Sequence, residues 1–417
     1  MKKNTGNLPR PLEGFTVLDF TTALAGPYAT LMLAGLGARI IKVENPLAPD
    51  SARSNSPYLG KDGVTMGRTH EDDISVAMAE RGRNKLSITL NMKQKQAKKI
   101  FVDLVKNADA IVENYSAGTA DRMGMGYSVA SEINPRIVFT SISGFGANLV
   151  SGQNKAMDTI VQALSGLMMT SGEPGDPPVR VGIPFGDLSA PLFAVIGTIA
   201  ALMQAQRTGK GQHVDVSLLG ALTSMVACEP FEAMERAGQE TRTGNTMPRL
   251  APFGIFPTTD GFISICAPRE NFAAALFGEM GMPDLIKDPR FNSRDGRVKN
   301  NKELHALVED WTSKLTTGDA IEKLERAGVP SGAVRRPAEG VRDPRLLARG
   351  ETELIEHPKY GKVDELYGGG MPILMSGSFT GFDRPAPGLG EHNDLVYREI
   401  LGYSSEEMAK LKAAAVI

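Results

Sequence analysis

Cysteine is nearly missing from this 417-residue chain: only Cys228 and Cys266 occur, far apart and without a CxxC spacing. That disfavours a disulfide framework or a cysteine-based zinc site and suits a reducing compartment, the cytoplasm. Histidine is scarce too. His70, His213, His305, His357 and His392 form no HxxxH pair and have no Cys/Asp grouping of metal-ligand type nearby, so no metal is expected. No excess of one charge exists, with 46 basic residues against 48 acidic, which removes any global electrostatic case for nucleic acid or an anionic membrane. The longest apolar run, residues 190–203, is about 14 residues and falls short of the roughly 20 needed to cross a bilayer. The basic start, Met1-Lys2-Lys3-Asn4, is followed by polar, proline-containing sequence without a signal-peptide core, so a soluble, unprocessed protein is expected. Two chemical signatures are also missing. Gly-x-Ser-x-Gly does not occur, and the first strand-to-helix turn, Ala23-Leu24-Ala25-Gly26-Pro27-Tyr28-Ala29, has one glycine and a proline where a dinucleotide fingerprint needs GxGxxG.

What is present reads as an open α/β fold. The length calls for two domains, or one large domain carrying an insertion. Residues 15–20 read as a buried strand, 27–36 as a helix opened by Pro27 and 38–43 as a second strand, a unit that points to a parallel sheet with helices on both faces. The alternation continues with a helix over 93–107, where Ala97, Ile100, Phe101, Leu104 and Val105 recur at helical spacing, and with strands at 110–113, 137–141 and 213–217. The texture changes near Arg242. Short strands within 250–266 and amphipathic helices around 271–280, 301–314 and 318–327 suggest a smaller α+β unit. Glycine and proline become frequent from about 331 onward; Gly368-Gly369-Gly370 reads as a turn, and a short helix is expected over 405–414.

Asp187 lies in Pro184-Phe185-Gly186-Asp187-Leu188-Ser189-Ala190-Pro191, between a strand-like run at 179–183 and an apolar helical run at 192–203. A carboxylate at such a junction, with glycine before it and a positive helix end behind it, is suited to be an ionised nucleophile. The alternative is that Asp187 or Ser189 only caps the helix. Between positions 81 and 106, eight basic residues (Arg81, Arg83, Lys85, Lys93, Lys95, Lys98, Lys99 and Lys106) stand against one acidic residue, Asp103. They form either a solvated helix face or a site for a phosphorylated ligand. After the strand at 110–113, the loop Asn114-Tyr115-Ser116-Ala117-Gly118 and then Arg122-Met123 offer a cation for a diphosphate and soft side chains for a base ring.

Several segments together resemble the class III CoA-transferases, the CaiB/BaiF family, including its formyl-CoA and succinyl-CoA-dependent members. They include Val17-Leu18-Asp19-Phe20, Ala25-Gly26-Pro27, Ile41-Lys42-Val43-Glu44, Val112-Glu113-Asn114-Tyr115, Ser143-Gly144-Phe145-Gly146, Gln162-Ala163-Leu164-Ser165-Gly166 and Leu389-Gly390-Glu391-His392, in order over nearly the whole chain. The resemblance implies a doubly wound, Rossmann-like large domain with an inserted smaller α+β domain, in an interlocked homodimer. The expected boundaries are 1–225 for the first part of the large domain, 226–330 for the small domain and 331–417 for a return segment completing the first. It further implies that Asp187 is the catalytic carboxylate. Ala23, Leu24 and Ala25 lie beside the thioester; Leu90, Lys93, Asn114, Tyr115, Arg122, Met123 and Lys155 hold coenzyme A, which enters as a substrate and not as a tightly bound cofactor. The expected reaction moves CoA from an acyl-CoA, with a lean toward succinyl-CoA, to a small carboxylic acid through an aspartyl-CoA thioester. Leu24, which stands where formyl-CoA transferase has glutamine, argues against formyl/oxalate specificity, and Arg83, Arg180 and Arg249 are candidates to pair with a second carboxylate. Two alternatives are an α-methylacyl-CoA racemase and a noncatalytic CoA-binding subunit. The racemase needs a histidine thirty residues before the aspartate, where this chain has Met157, and a thioether cannot exchange a proton.

Overall fold

Alternating side chains build the principal sheet. The protein, as a computed structural model, is described over residues 8–147, 155–247 and 249–417; the basic start and Pro248 lie outside these. β1 (Thr16–Phe20), β2 (Arg39–Glu44), β3 (Lys85–Thr89), β4 (Ala110–Glu113), β5 (Val138–Ser143) and β6 (His213–Ser217) pair in parallel in the order β3-β2-β1-β4-β5-β6. That is the doubly wound order, and it reverses direction between β1 and β4. The helices around the sheet are α1 (Ala25–Gly35), α2 (Val76–Arg81), α3 (Ala97–Lys106), α4 (Thr119–Arg122), α5 (Tyr127–Ile133), α6 (Asp158–Leu164), α7 (Phe185–Thr208) and α8 (Leu218–Val226).

Strand side chains point alternately to opposite faces. Leu18, Phe20, Ile41, Val43, Leu86 and Ile88 take one face and pack with Phe101 and Leu104 of α3. The other face meets α1 and α7: Thr30 donates to Asp19 Oδ2 at 2.7 Å, and the hydroxyls of Thr140 and Thr198 lie 2.7 Å apart. This second face carries a buried charge cluster. Lys85 Nζ donates to Asp19 Oδ2 (2.9 Å), Thr30 Oγ1 (2.7 Å) and Pro27 O (3.0 Å), while Lys42 Nζ donates to Asp50 Oδ2 (2.7 Å) and Thr21 O (3.0 Å). Burial alone would raise the pKa of Asp19, but Lys85, Lys42 and the hydroxyls of Thr21 and Thr30 outweigh it and hold the carboxyl down at about 2.

Strand β3 ends the sheet, and its outer edge is covered. Ser87 N–H donates to His392 Nδ1 (3.2 Å), His392 N–H returns to Ser87 O (2.9 Å), and Thr89 N–H donates to Asn393 Oδ1 (2.9 Å). The Tyr397 hydroxyl reaches Thr89 O at 2.7 Å. Burial lowers the pKa of His392, which favours the neutral ring that an accepting Nδ1 requires.

The chain divides into two compact units. The first is drawn from Met1–Ser165, Val181–Val226 and Val341–Ile417, the second from Gly166–Arg180 and Ala227–Gly340. The second holds an antiparallel sheet of Thr246–Met247, Leu250–Pro257, Phe262–Cys266 and Ser331–Ala333 around Phe256, Ile263, Ile265, Phe277 and Leu304. Arg242 fastens residues 166–180 into it, donating to Ser171 O (2.9 Å), Asp176 O (2.5 Å) and Pro177 O (3.0 Å). A single contiguous small domain at 226–330 does not include that segment.

Other local expectations change. Residues 179–183 form no strand: Val179 N–H bonds to Met168 O and Val181 N–H to Gln162 Oε1, so no neighbouring strand takes their backbone groups. Asp187 therefore sits inside the first turn of α7, and not at a strand-to-helix junction. Helix α7 runs for 24 residues, longer than its apolar run, and is long and apolar enough by length and composition to cross a bilayer. Ala190, Ala194, Thr198, Ala201 and Leu202 are nevertheless buried, and the helix packs on α1 and β5. Finally, Tyr367–Gly369 is a strand paired with Thr352–Leu354 and not a plain turn.

Candidate active site

Ligands of doubly wound sheets bind beyond the carboxyl ends of the strands, where the strand order reverses. Here that place lies between the loops following β1 and β4, and two hydrogen bonds tie those loops together. Thr22 N–H donates to Asn114 Oδ1 (2.8 Å), and Asn114 Nδ2 donates to Thr22 O (2.9 Å). Ala23 has a left-handed φ of 65°, held by its N–H donating to Asp50 Oδ1 at 2.8 Å. A Cβ on Gly26 would lie 2.3 Å from Thr21 Cβ, so only glycine lets α1 begin this close to the loop. Ala23, Leu24, Ala25 and Asn114 are thus gathered at the switch point.

Asp187 comes from the first turn of α7. Its N-terminal neighbour Gly186 donates its N–H to Asp158 Oδ1 (2.8 Å), and Gln162 Nε2 donates to Asp158 Oδ2 (2.7 Å), so the α6 carboxylate anchors the start of α7. A Cβ on Gly186 would meet Val161 Cγ2 at 2.8 Å and Asp158 Oδ1 at 3.2 Å. Gly186→Ala is expected to cost about 1–3 kcal/mol, read as a lowered urea midpoint, because α6 and α7 must separate. An unchanged midpoint would mean that the contact is slack. Neither expected cap forms: α7 has no side-chain cap, and the Ser189 hydroxyl donates to Gly186 O. Pro191 has no N–H to return to the Asp187 carbonyl.

The Asp187 carboxylate is half-buried and accepts no hydrogen bond among the described residues. Burial first, and then the charge of Asp158, push its pKa up to about 6, with Arg81 opposing. The helix dipole thus fails to hold it in the ordinary carboxylate range, yet the group is still ionised at neutral pH. Its helix neighbours Pro184, Leu188 and Leu192, though not Asp187 itself, line a cavity of about 560 Å³, in the size range of small-molecule sites, together with Leu24, Tyr28, Glu80, Arg81, Arg83 and Phe382 among others. The first turns of α1 and α7 share its wall.

The remaining residues expected to hold CoA lie apart from this cavity. Leu90 is buried in the core at the end of β3, 2% exposed. Lys93 lies exposed in the turn before α3, which begins at Ala97 and not at 93. Met123 and Tyr115 pack against the core cluster, and Tyr115 lines a second cavity of about 360 Å³ together with Glu113, Asp121 and Asp215, whose negative charge would repel a diphosphate. Arg122 is exposed with Nη2 on Thr119 Oγ1 (2.6 Å), and Lys155 is exposed ahead of α6. Arg83 lines the cavity but is already engaged: it donates to Glu353 Oε1 (2.7 Å), Gly369 O (2.6 Å) and Glu80 O (2.8 Å) and stacks on Phe382. Arg249 pairs with Glu229, and Arg180 is exposed in the second unit. Sequence reasoning passed over Asp50, Asp158 and Gln162; the spacing of Asp158 and Gln162 on one face of a helix was the available sign.

A six-stranded doubly wound sheet, loops joined at its switch point and, at a helix start near a cavity, a carboxylate without a partner among the described residues define a doubly wound α/β protein with a ligand site at its switch point. The model of CoA-transferase family III matches residues 12–393, and the chain belongs to that family as a CoA-transferase. It is 36% identical over 406 residues to an acetyl-CoA:oxalate CoA-transferase of Acetobacter aceti, covering 96% of this chain and 98% of that one. It is 33% identical to the succinyl-CoA:glutarate CoA-transferase of Homo sapiens, covering 98% of this chain and 90% of the relative. A crystal structure of a CaiB/BaiF family protein from Brucella suis superimposes with a TM-score of 0.80 at 29% identity, over 94% of this chain and 100% of that one.

Proposed function

We propose that this enzyme moves CoA from an acyl-CoA, succinyl-CoA foremost, to a small carboxylic acid through a thioester on Asp187. The observation that carries the reading is the Asp187 carboxylate itself, ionised at neutral pH, without a hydrogen bond among the described residues and next in the chain to Leu188, which lines a cavity. A carboxylate that has lost solvent without gaining donors is a stronger nucleophile than one in water. Its oxygen attacks the thioester carbonyl; the C–S bond breaks, and CoA thiolate leaves a mixed anhydride. The thiolate then attacks the aspartyl carbonyl, the anhydride C–O bond breaks, and the donor acid is released from an aspartyl-CoA thioester. An acceptor carboxylate reverses these steps and leaves as acyl-CoA. The thioester bond energy is conserved throughout, so no nucleotide is consumed. The reading for succinyl-CoA draws on the human relative, named for succinyl-CoA and glutarate. The Acetobacter aceti relative, named for acetyl-CoA and oxalate, keeps other donors in play.

Trapping with hydroxylamine tests this directly. Incubation with succinyl-CoA should convert Asp187 to a hydroxamate, located by peptide mass spectrometry. The reacting form is the carboxylate and its pKa is about 6. The rate of CoA transfer, followed without hydroxylamine, should therefore be level at neutral pH and fall about tenfold per pH unit below about 6. An adduct elsewhere, no adduct with any acyl-CoA, or a rate that stays level well below that point would sink the proposal.

A further inference from the structure

Arg81 ends α2 with its side chain largely buried, and its Nε–H finds no partner. No hydrogen bond or ion pair reaches its guanidinium among the described residues, although the charges of Glu80, Asp50 and Asp187 act on it. Its neighbours are occupied. Glu80 Oε1 accepts from Gly369 N–H (3.1 Å), and Arg83 is paired with Glu353. Arg81 lines the same cavity as Leu24 and Leu188; Glu80 and Arg83, both already engaged, also line it, and the rest of its walls are mostly apolar: Tyr28, Leu31, Met32, Leu192, Phe382. An unpaired buried cation is costly to maintain unless a ligand completes it. A planar guanidinium with a free donor matches a carboxylate.

We propose that Arg81 is a specificity residue that binds the distal carboxylate of a dicarboxylic acid or of its CoA thioester, while the other end reacts at Asp187 and the intervening methylenes lie against the apolar wall. This rests on the CoA-transfer reading for its reacting end, but the binding site for the distal carboxylate is an independent matter.

The test compares glutarate with butyrate as acceptors, since they share a chain of similar length and differ in the second carboxylate. In Arg81→Met the ratio of kcat/KM for glutarate to that for butyrate should fall by about 30-fold or more, the worth of a charge-assisted pair. Arg81→Lys, which keeps the charge, should recover most of that ratio. The assays belong near pH 8, where Asp187 is ionised whether or not Arg81 is present. If Arg81 served only to keep Asp187 ionised, both acids would lose equally and the low-pH limb of the profile would move to higher pH; a ratio within threefold of wild type overturns the proposal. Calorimetric titration of the free enzyme with glutarate and with butyrate separates the two ideas. If no acyl-CoA labels Asp187, the transfer reading fails, and glutarate binding that is weakened in Arg81→Met still upholds the subsite. Equal binding of both acids, or of glutarate to wild type and variant, removes it.

Discussion

Asp187→Asn and Asp187→Ala are expected to lower CoA transfer on the order of 10⁴-fold or more, equivalent to about 5.5 kcal/mol, because each deletes the atom that forms the covalent intermediate. Binding of CoA itself should survive, since the cavity walls and the switch-point loops are untouched. The asparagine variant carries a second expectation of opposite sign. Folding raises the pKa of Asp187 from 3.8 to about 6, so the folded state prefers the protonated form, and stability is lost as pH rises through about 6. Above that pH the ionised group is a standing cost, about 1–2 kcal/mol once its partial exposure is discounted. Asp187→Asn removes the charge and keeps the shape, so at pH 8 it should melt later than the wild type while being inactive. An inactive variant with lowered stability would instead point to a structural role, and an active one would exclude the nucleophile.

Asp19→Ala is expected to have the largest effect on stability, a loss of about 3–5 kcal/mol in urea unfolding, because it leaves Lys85 buried without its carboxylate, while Lys42 keeps only Asp50. The pair Asp19→Ala with Lys85→Met should recover part of that loss by removing the stranded charge. Acid acts on the same group. Asp19 is held at about 2 in the folded protein against an ordinary 3.8, so its contribution of about 2 kcal/mol is present above about pH 4 and disappears as pH falls through about 2. A change below about 1 kcal/mol for Asp19→Ala would mean that water reaches the cluster.

The same cluster explains where the sequence was legible and where it was not. β1, α1 and β2 follow from apolar periodicity and Pro27, and the strands at 110–113 and 213–217 from their β-branched residues. β3 escaped notice because Lys85 falls within a run of positive charge that reads as solvated helix, whereas the folded chain buries that lysine against Asp19, a partner 66 residues away. A buried ion pair is invisible to hydropathy, since neither half looks apolar. The run at 179–183 fails in the opposite way: its composition suits a strand, but a strand exists only where another backbone accepts its hydrogen bonds. Asp187 stood out by its local sequence, while Arg81 was merely one cation among eight. Its distinction lies in having no partner among the described residues, which is a property of three dimensions.

The covering of β3 by residues 390–393 has a consequence for biosynthesis. Five of the six strands of the principal sheet, β3 among them, are synthesised before residue 150, but the segment that seals the outer edge of β3 follows all six strands in the chain. During most of translation that edge offers unpaired N–H and C=O groups to any neighbouring nascent chain. Chains stalled or cleaved before residue 390 should therefore self-associate through β3 and depend on chaperones to a degree that the finished protein does not.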